Sequence, residues 1–243
     1  MCSISWQTNS SGYDLFFNRD EQRARPPAEP PRTFYATDGT PYLAPIDPQG
    51  GGTWIFLNAH GLSGALLNAY EVSALPAGET RASRGQLLRT AVHAADIDAF
   101  EAEIRETLQL DNYPACYLFA IARKSAPGGW LWTGQELEAL SLPAPQFFTT
   151  SGFQPAAVRS AREQAFRHTL GDPPHRSAAL EAFHLDAESK QTAYDIRMSR
   201  PDARTVSYTR VSVQDSTLKM HYLSCPEDVS DWLVEADGIS ISL

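Results

Sequence analysis

The 243-residue chain has no cluster of lysine or arginine, and its formal charge is −9. Nucleic-acid binding needs a basic patch, so no nucleic-acid partner is expected. No apolar run approaches the roughly 20 residues that a membrane helix requires, so no membrane span is expected. The amino terminus lacks a basic segment followed by an apolar one, so no secretory signal is read. Cysteine is scarce: Cys2, Cys116 and Cys225 are odd in number and show no CxxC spacing. That pattern supports neither a disulfide framework nor a zinc site, and reduced thiols in the cytoplasm are the expectation. The six histidines (His60, His93, His168, His175, His184, His221) show no HExxH spacing. Gly50-Gly51-Gly52 lacks the lysine and the following helix of a phosphate loop. A GxSxG elbow is also missing. Neither a metal nor a cofactor is therefore called for. No internal repeat or low-complexity segment breaks the chain, and its length suits one domain over 1–243 with a sizeable core.

What is present is concentrated at the start. Cys2 follows the initiator methionine directly, and its small side chain permits removal of Met1. Cys2 would then carry a nucleophilic sulfur and an α-amine titrating near 7.7 to 8, able to take a proton at neutral pH. Residues 3–6 read as a strand, Asn9 to Gly12 as a turn, and Tyr13 to Phe17 as a returning strand. Such a hairpin brings Asn18-Arg19-Asp20 back beside Cys2. Arg19 would favour the thiolate or hold a substrate carboxylate, and Asp20 would bind the α-ammonium. Taken alone, Arg19-Asp20-Glu21 also reads as a solvated turn, and Cys2 as an inert strand cysteine.

Further along, Pro26, Pro27, Pro30 and Pro31 forbid helix and suggest an extended surface loop. Residues 37–49 carry turn signals. The glycines at 50–52 let backbone approach closely to something, and 53–58 is a strong strand pattern containing Trp54. Its hairpin partner, 62–67, ends at Asn68, a candidate oxyanion donor or a simple strand cap. Ser83 reads as the cap of a helix over 84–95, and Asp96 or Asp98 as the start of another to about 108. Arg84 in a first helical turn opposes the helix dipole, so it either faces an anion or is solvated. Cys116 opens an apolar run of strand length and reads as a buried small residue. Strands are expected at 130–133, 137–142 and 147–150. A helix should run from 155 to about 169, a break fall at 172–174, and a short helix occupy 177–183. Strands over 191–198, 205–213 and 218–223 follow, then an acidic tail over 226–243 with weak strand character.

Cys2, the block Asn18-Arg19-Asp20-Glu21, and Gly51-Gly52-Thr53-Trp54 together resemble the NRDE family. That family includes the transport and Golgi organisation 2 proteins. The likeness continues at Leu67-Asn68, Ser83-Arg84-Gly85-Gln86-Leu87 and Asp202-Ala203-Arg204-Thr205, and so covers most of the chain. It implies an α+β, four-layer αββα sandwich, two antiparallel sheets between helices, as in N-terminal-nucleophile hydrolases. It implies a cysteine amidohydrolase acting on a small amide or acyl substrate, with Cys2, Arg19, Asp20 and Asn68 catalytic. Trp54, Arg84, Ser151 and Arg204 would contact substrate. Residues 58–68 also resemble the bile-salt hydrolase and penicillin acylase branch, where an asparagine in this position serves the oxyanion hole. Relatives tend to carry an asparagine at the 150–151 corner. Thr150-Ser151 lacks that amide, leaving Ser151 or a backbone N–H to replace it. The alternative that the resemblance implies is a haem- or lipid-ligand binding and trafficking protein, with an apolar ligand between the sheets and Cys225-Pro226 as a candidate haem dipeptide.

Overall fold

The computed structural model describes residues 2–72, 82–110, 112–142, 146–170, 176–186, 191–226 and 232–241. Local chemistry starts the fold. Asn9 Oδ1 accepts hydrogen bonds from the backbone N–H groups of Ser11 (2.9 Å) and Gly12 (2.8 Å). That turn joins β1 (Cys2–Thr8) to β2 (Gly12–Gln22) as an antiparallel hairpin. A side chain at Gly12 would put a carbon 1.8 Å from the Val213 carbonyl oxygen, so only glycine permits the neighbouring strand this close.

Two antiparallel sheets follow. The first contains β1 and β2 together with β10 (Phe147–Thr150), β11 (Ala203–Gln214), β12 (Thr217–Ser224) and β13 (Leu233–Ile241). Its order is β10-β1-β2-β11-β12-β13, which makes the first strand an interior one. The second sheet has seven strands: β3 (Glu29–Tyr35), β4 (Pro41–Ile46), β5 (Ile55–Asn58), β6 (Ser63–Asn68), β7 (Cys116–Ile121), β8 (Gly128–Trp132) and β9 (Leu137–Ala139). They run in sequence order.

Alternation of side chains decides the layers. Ile4, Trp6, Leu15 and Phe17 of the first sheet meet Leu57, Leu67, Phe119 and Ile121 of the second in a core between the sheets. The other face of the seven-stranded sheet packs Phe56, Leu66 and Leu118 against Leu87 and Leu88 of α1 (Arg84–Thr90) and Phe100 and Ile104 of α2 (Ile97–Leu110). The other face of the six-stranded sheet packs Phe16, Phe147 and Tyr208 against Phe166 of α3 (Pro155–Thr169) and Leu180 and Phe183 of α4 (Arg176–Leu185). The result is the expected four-layer αββα sandwich. Strands such as β7 read as unbroken apolar runs because both of their faces are covered.

Several local expectations are corrected. Residues 191–198 are turns rather than a strand: Asp195 Oδ2 accepts from the Thr192 N–H at 2.7 Å and folds the segment on itself. The proline segment is only half loop. Pro30 and Pro31 lie in β3, an edge strand with a register irregularity between Glu29 and Arg32, where a missing N–H is tolerated. The turn-rich stretch 37–49 contains β4. The helix expected over 84–95 stops at Thr90, and Asp96 starts the next one by accepting from the Ala99 N–H at 2.8 Å. The break at 172–174 and parts of the tail lie outside the described residues.

Candidate active site

The strand register places the amino-terminal block. Cys2 pairs with Arg19 on β2 and with Thr150 on β10, so these three side chains share one face of the sheet. Arg19 pairs in turn with Ser207 of β11. That face looks toward the second sheet, and a cleft of about 210 Å³ opens there. It is lined by Cys2, Arg19, Asp20 and Glu21 from the first sheet, by Trp54 just before β5, by Asn68 from the second sheet, and by Arg84 at the head of α1. Six of the eight residues read as catalytic or substrate-binding line this cleft: Cys2, Arg19, Asp20, Trp54, Asn68 and Arg84.

Each side chain has a definite holder. Cys2 is buried, and burial pushes its thiol up. The charge of Asp20 adds to the rise, while a hydrogen bond with the Asp20 backbone and the charge of Arg19 oppose it. Arg19 lays its guanidinium over the Trp54 ring, 4.2 Å from the centroid, and donates to Glu21 Oε2 at 3.0 Å. Asp47 Oδ2 stands 3.8 Å away and also pairs with Arg25. Burial works against the Asp47 carboxylate, yet the Arg25 hydrogen bond and the charges of Arg25 and Arg19 hold it below its ordinary range. Arg19, Glu21, Arg25 and Asp47 thus form one ion-paired wall. The Trp54 indole N–H is buried and has no hydrogen-bond partner among the described residues.

Asp20 faces the other way. Its Oδ2 lies 3.3 Å from both terminal nitrogens of Arg162, and its Oδ1 accepts from Thr205 Oγ1 at 2.6 Å. Arg162 descends from α3 and also donates to Ser3 Oγ at 2.9 Å and Thr149 Oγ1 at 3.1 Å. Arg162 and Asp20 side chains are fully buried. This network clamps the helix layer to the strand that carries the thiol.

Asn68 ends β6, and its Nδ2 donates to the Tyr70 hydroxyl at 2.9 Å. Burial pushes that hydroxyl up to about 12, and the charges of Cys2 and Glu21 contribute. Arg84 reaches the cleft by donating its Nε to the Ala115 carbonyl at 2.9 Å. The close approach expected of glycines 50–52 occurs at Gly52. A β-carbon there would lie 2.2 Å from the Gly85 backbone, so this glycine lets the start of α1 sit against the loop before β5.

Two residues read as substrate-binding stand apart from the thiol. The Ser151 hydroxyl donates to the Phe153 carbonyl at 2.6 Å and accepts its N–H at 3.1 Å, which commits it to its own turn. Thr150, one residue earlier, faces the Cys2 side, and its buried hydroxyl has no hydrogen-bond partner among the described residues. Arg204 donates to the Cys225 carbonyl and lines a neighbouring cavity instead. Cys225 is buried with Arg197 Nη2 at 3.5 Å from its sulfur, an arrangement unlike an accessible haem ligand. Sequence reasoning missed Arg162, Thr205, Tyr70 and Asp47. The turn preceding the glycines hinted at Asp47, and Thr205 stood in a block that carried the family resemblance; Arg162 and Tyr70 carried no local signal. Among the described residues no group of three or more histidine, cysteine or acidic side chains is placed to hold a metal ion. None of the described helices is long and apolar enough to cross a membrane.

Comparisons with known proteins bear on the family and the fold. The model of the family Transport and Golgi organisation 2 matches residues 1–153. No curated protein matches in sequence. Among solved structures, the Caenorhabditis elegans N-acylethanolamine-hydrolyzing acid amidase ortholog superposes with a TM-score of 0.55 at 14% identity, covering 88% of this chain and 93% of that one. A cysteine-to-alanine mutant of the conjugated bile acid hydrolase from Clostridium perfringens gives 0.52 at 12%, covering 100% and 97%. Penicillin V acylase from Agrobacterium tumefaciens gives 0.52 at 10%, covering 96% and 86%. At such identities the likeness is one of fold.

Proposed function

The chain belongs to the Transport and Golgi organisation 2 family, and from that premise we propose that it is a cysteine amidohydrolase whose nucleophile is Cys2. On this reading residues 1–243 act as one domain on a small amide or acyl substrate. The observation that carries it is the register of Cys2 with Arg19 at the floor of a polar cleft facing Asn68. Three structural neighbours named as amidase, hydrolase or acylase share the fold.

The chemistry begins with removal of Met1. The thiol proton passes to the freed α-amine, and the sulfur attacks the substrate carbonyl carbon. The carbonyl electron pair moves onto oxygen, where the Asn68 amide and a backbone N–H meet the charge. As the tetrahedral intermediate collapses, the C–N bond breaks and the leaving amine takes the proton from the α-ammonium. Water then attacks the thioester, which releases the acid and restores the thiol. Arg19 favours thiolate, and Asp20 holds the amine end of β1 from its clamp with Arg162 and Thr205. Trp54 and Arg84 contact substrate.

Burial holds the thiol up, so a chain that keeps Met1 should be sluggish at neutral pH. The test is the intact mass of the purified protein before and after iodoacetamide. Loss of Met1 with fast labelling confined to Cys2 supports the proposal. Retained Met1, or an unreactive Cys2 in the processed chain, overturns it.

A further inference from the structure

Beside the thiol cleft lies a second cavity of about 480 Å³, more than twice the cleft's volume. The two share Arg19, Glu21 and Arg25 as a common wall. Beyond that wall the lining changes character. Pro26, Pro27, Ala28 and Pro30 cover one side, and Val206 and Tyr222 form another. The cations at its rim are engaged with the protein. Arg204 donates to the Cys225 carbonyl, and Arg23 donates to the Arg200 carbonyl at 2.9 Å and to Ser199 Oγ at 2.8 Å. An apolar chamber of this size is in the range of small-molecule sites. The cleft alone is too small to hold more than the reacting group and its nearest substituents.

We propose that this chamber is the tail subsite of the same active site, and that the substrate is an amphiphile with an unbranched apolar chain near its scissile carbonyl. This rests on the cysteine-hydrolase reading for the chemistry, but not for the binding. The polar end lies by Cys2, Asn68 and Arg84, and the chain passes the ion-paired wall into the proline-lined chamber. Arg25 is the most exposed of the three shared residues, at 30% of its side chain, and leads directly into the proline strap. It is the residue that yields when a chain enters. Binding a remote tail is a source of energy that orients the carbonyl at the sulfur.

The proposal predicts how Cys2 reacts with a homologous series of N-alkyl iodoacetamides, from ethyl to dodecyl. In each case sulfur–carbon bond formation expels iodide. Labelling should quicken by about two- to fourfold per added methylene until the chamber is full, as expected for burial of CH₂ groups. Val206→Trp fills the chamber and should flatten the series, so that the dodecyl reagent loses its advantage over the ethyl one. Ala28→Trp, on the strap, provides the same test should the strand variant fold poorly. A flat series in the wild-type protein overturns the tail subsite, as does a steep series that neither folded variant alters. A parallel assay with acyl amides separates the two readings: a steep series without turnover supports the chamber and removes the hydrolase.

Discussion

Arg19 and Arg162 are both buried arginines beside the same stretch of β2, but they lie on opposite faces of the sheet. Arg162 is spent on structure. It holds Ser3, Thr149 and Asp20 together and is not among the residues that line the cleft. Arg19 is held loosely by comparison, stacked on Trp54 with carboxylates at 3.0 and 3.8 Å, and it lines the cavity beside the thiol. A buried ion pair on the helix side fixes the strand, while a cation on the cleft side remains available to a ligand. One residue type thus divides between holding a strand and lining a cleft, according to the face of the sheet on which it stands.

The largest effect that would sharpen this contrast is on turnover. Cys2→Ala should cut hydrolysis of a cognate amide by roughly four to six orders of magnitude and leave the circular dichroism unchanged. A substantial residual rate would remove the cleft face from the mechanism. Next is Arg162→Met, which strands the Asp20 carboxylate among buried groups. It should cost about 3–5 kcal/mol in urea unfolding, and a loss below about 1 kcal/mol would erase the distinction between the two arginines. Asn68→Ala should lower kcat by about 10²-fold or more with little change in unfolding midpoint, since an oxyanion donor acts only in the transition state.

The smallest effect tests the helix face by pH. His184 is fully buried, with Ser5 Oγ 2.8 Å from Nε2 and Asn18 Oδ1 3.0 Å from Nδ1. Burial and the Arg162 charge depress it to about 3. The unfolded chain takes a proton near 6.5 that the folded chain refuses, so stability is full above that pH and falls as pH drops toward 3. Between pH 6.5 and 5 the loss should be about 2 kcal/mol, at 1.4 kcal/mol per unit. Denaturant titrations of the wild type and His184→Gln should converge as pH falls.

The amino-terminal hairpin was legible in the sequence because its determinants are local: a turn asparagine, a glycine, and two strands whose lengths set the register of Cys2 with Arg19. The cleft partners Trp54 and Asn68 were legible as strand residues, and resemblance supplied their direction. Arg162 was hidden because a helix arginine reads as surface until tertiary packing turns it inward. The 191–198 segment misled because its alternation is real over a few residues, while Asp195 bonds its own neighbours more cheaply than a strand partner could. Ser151 and Thr150 show the same limit at single-residue scale: both hydroxyls were visible, but strand pairing decides which one stands beside the thiol.

The interior position of β1 also has a kinetic consequence. One flank of this strand is closed by its own hairpin, but the other bonds to β10, where the Thr149 hydroxyl reaches the Cys2 carbonyl across 147 residues of sequence. Until that distant strand is made, β1 is an open edge, and such long-range closures are slow. The nucleophile is translated first and assembled late. A nascent or truncated chain that stops before residue 147 carries the thiol and the arginine but not the sheet that sets them, so reactivity at Cys2 would report completion of folding.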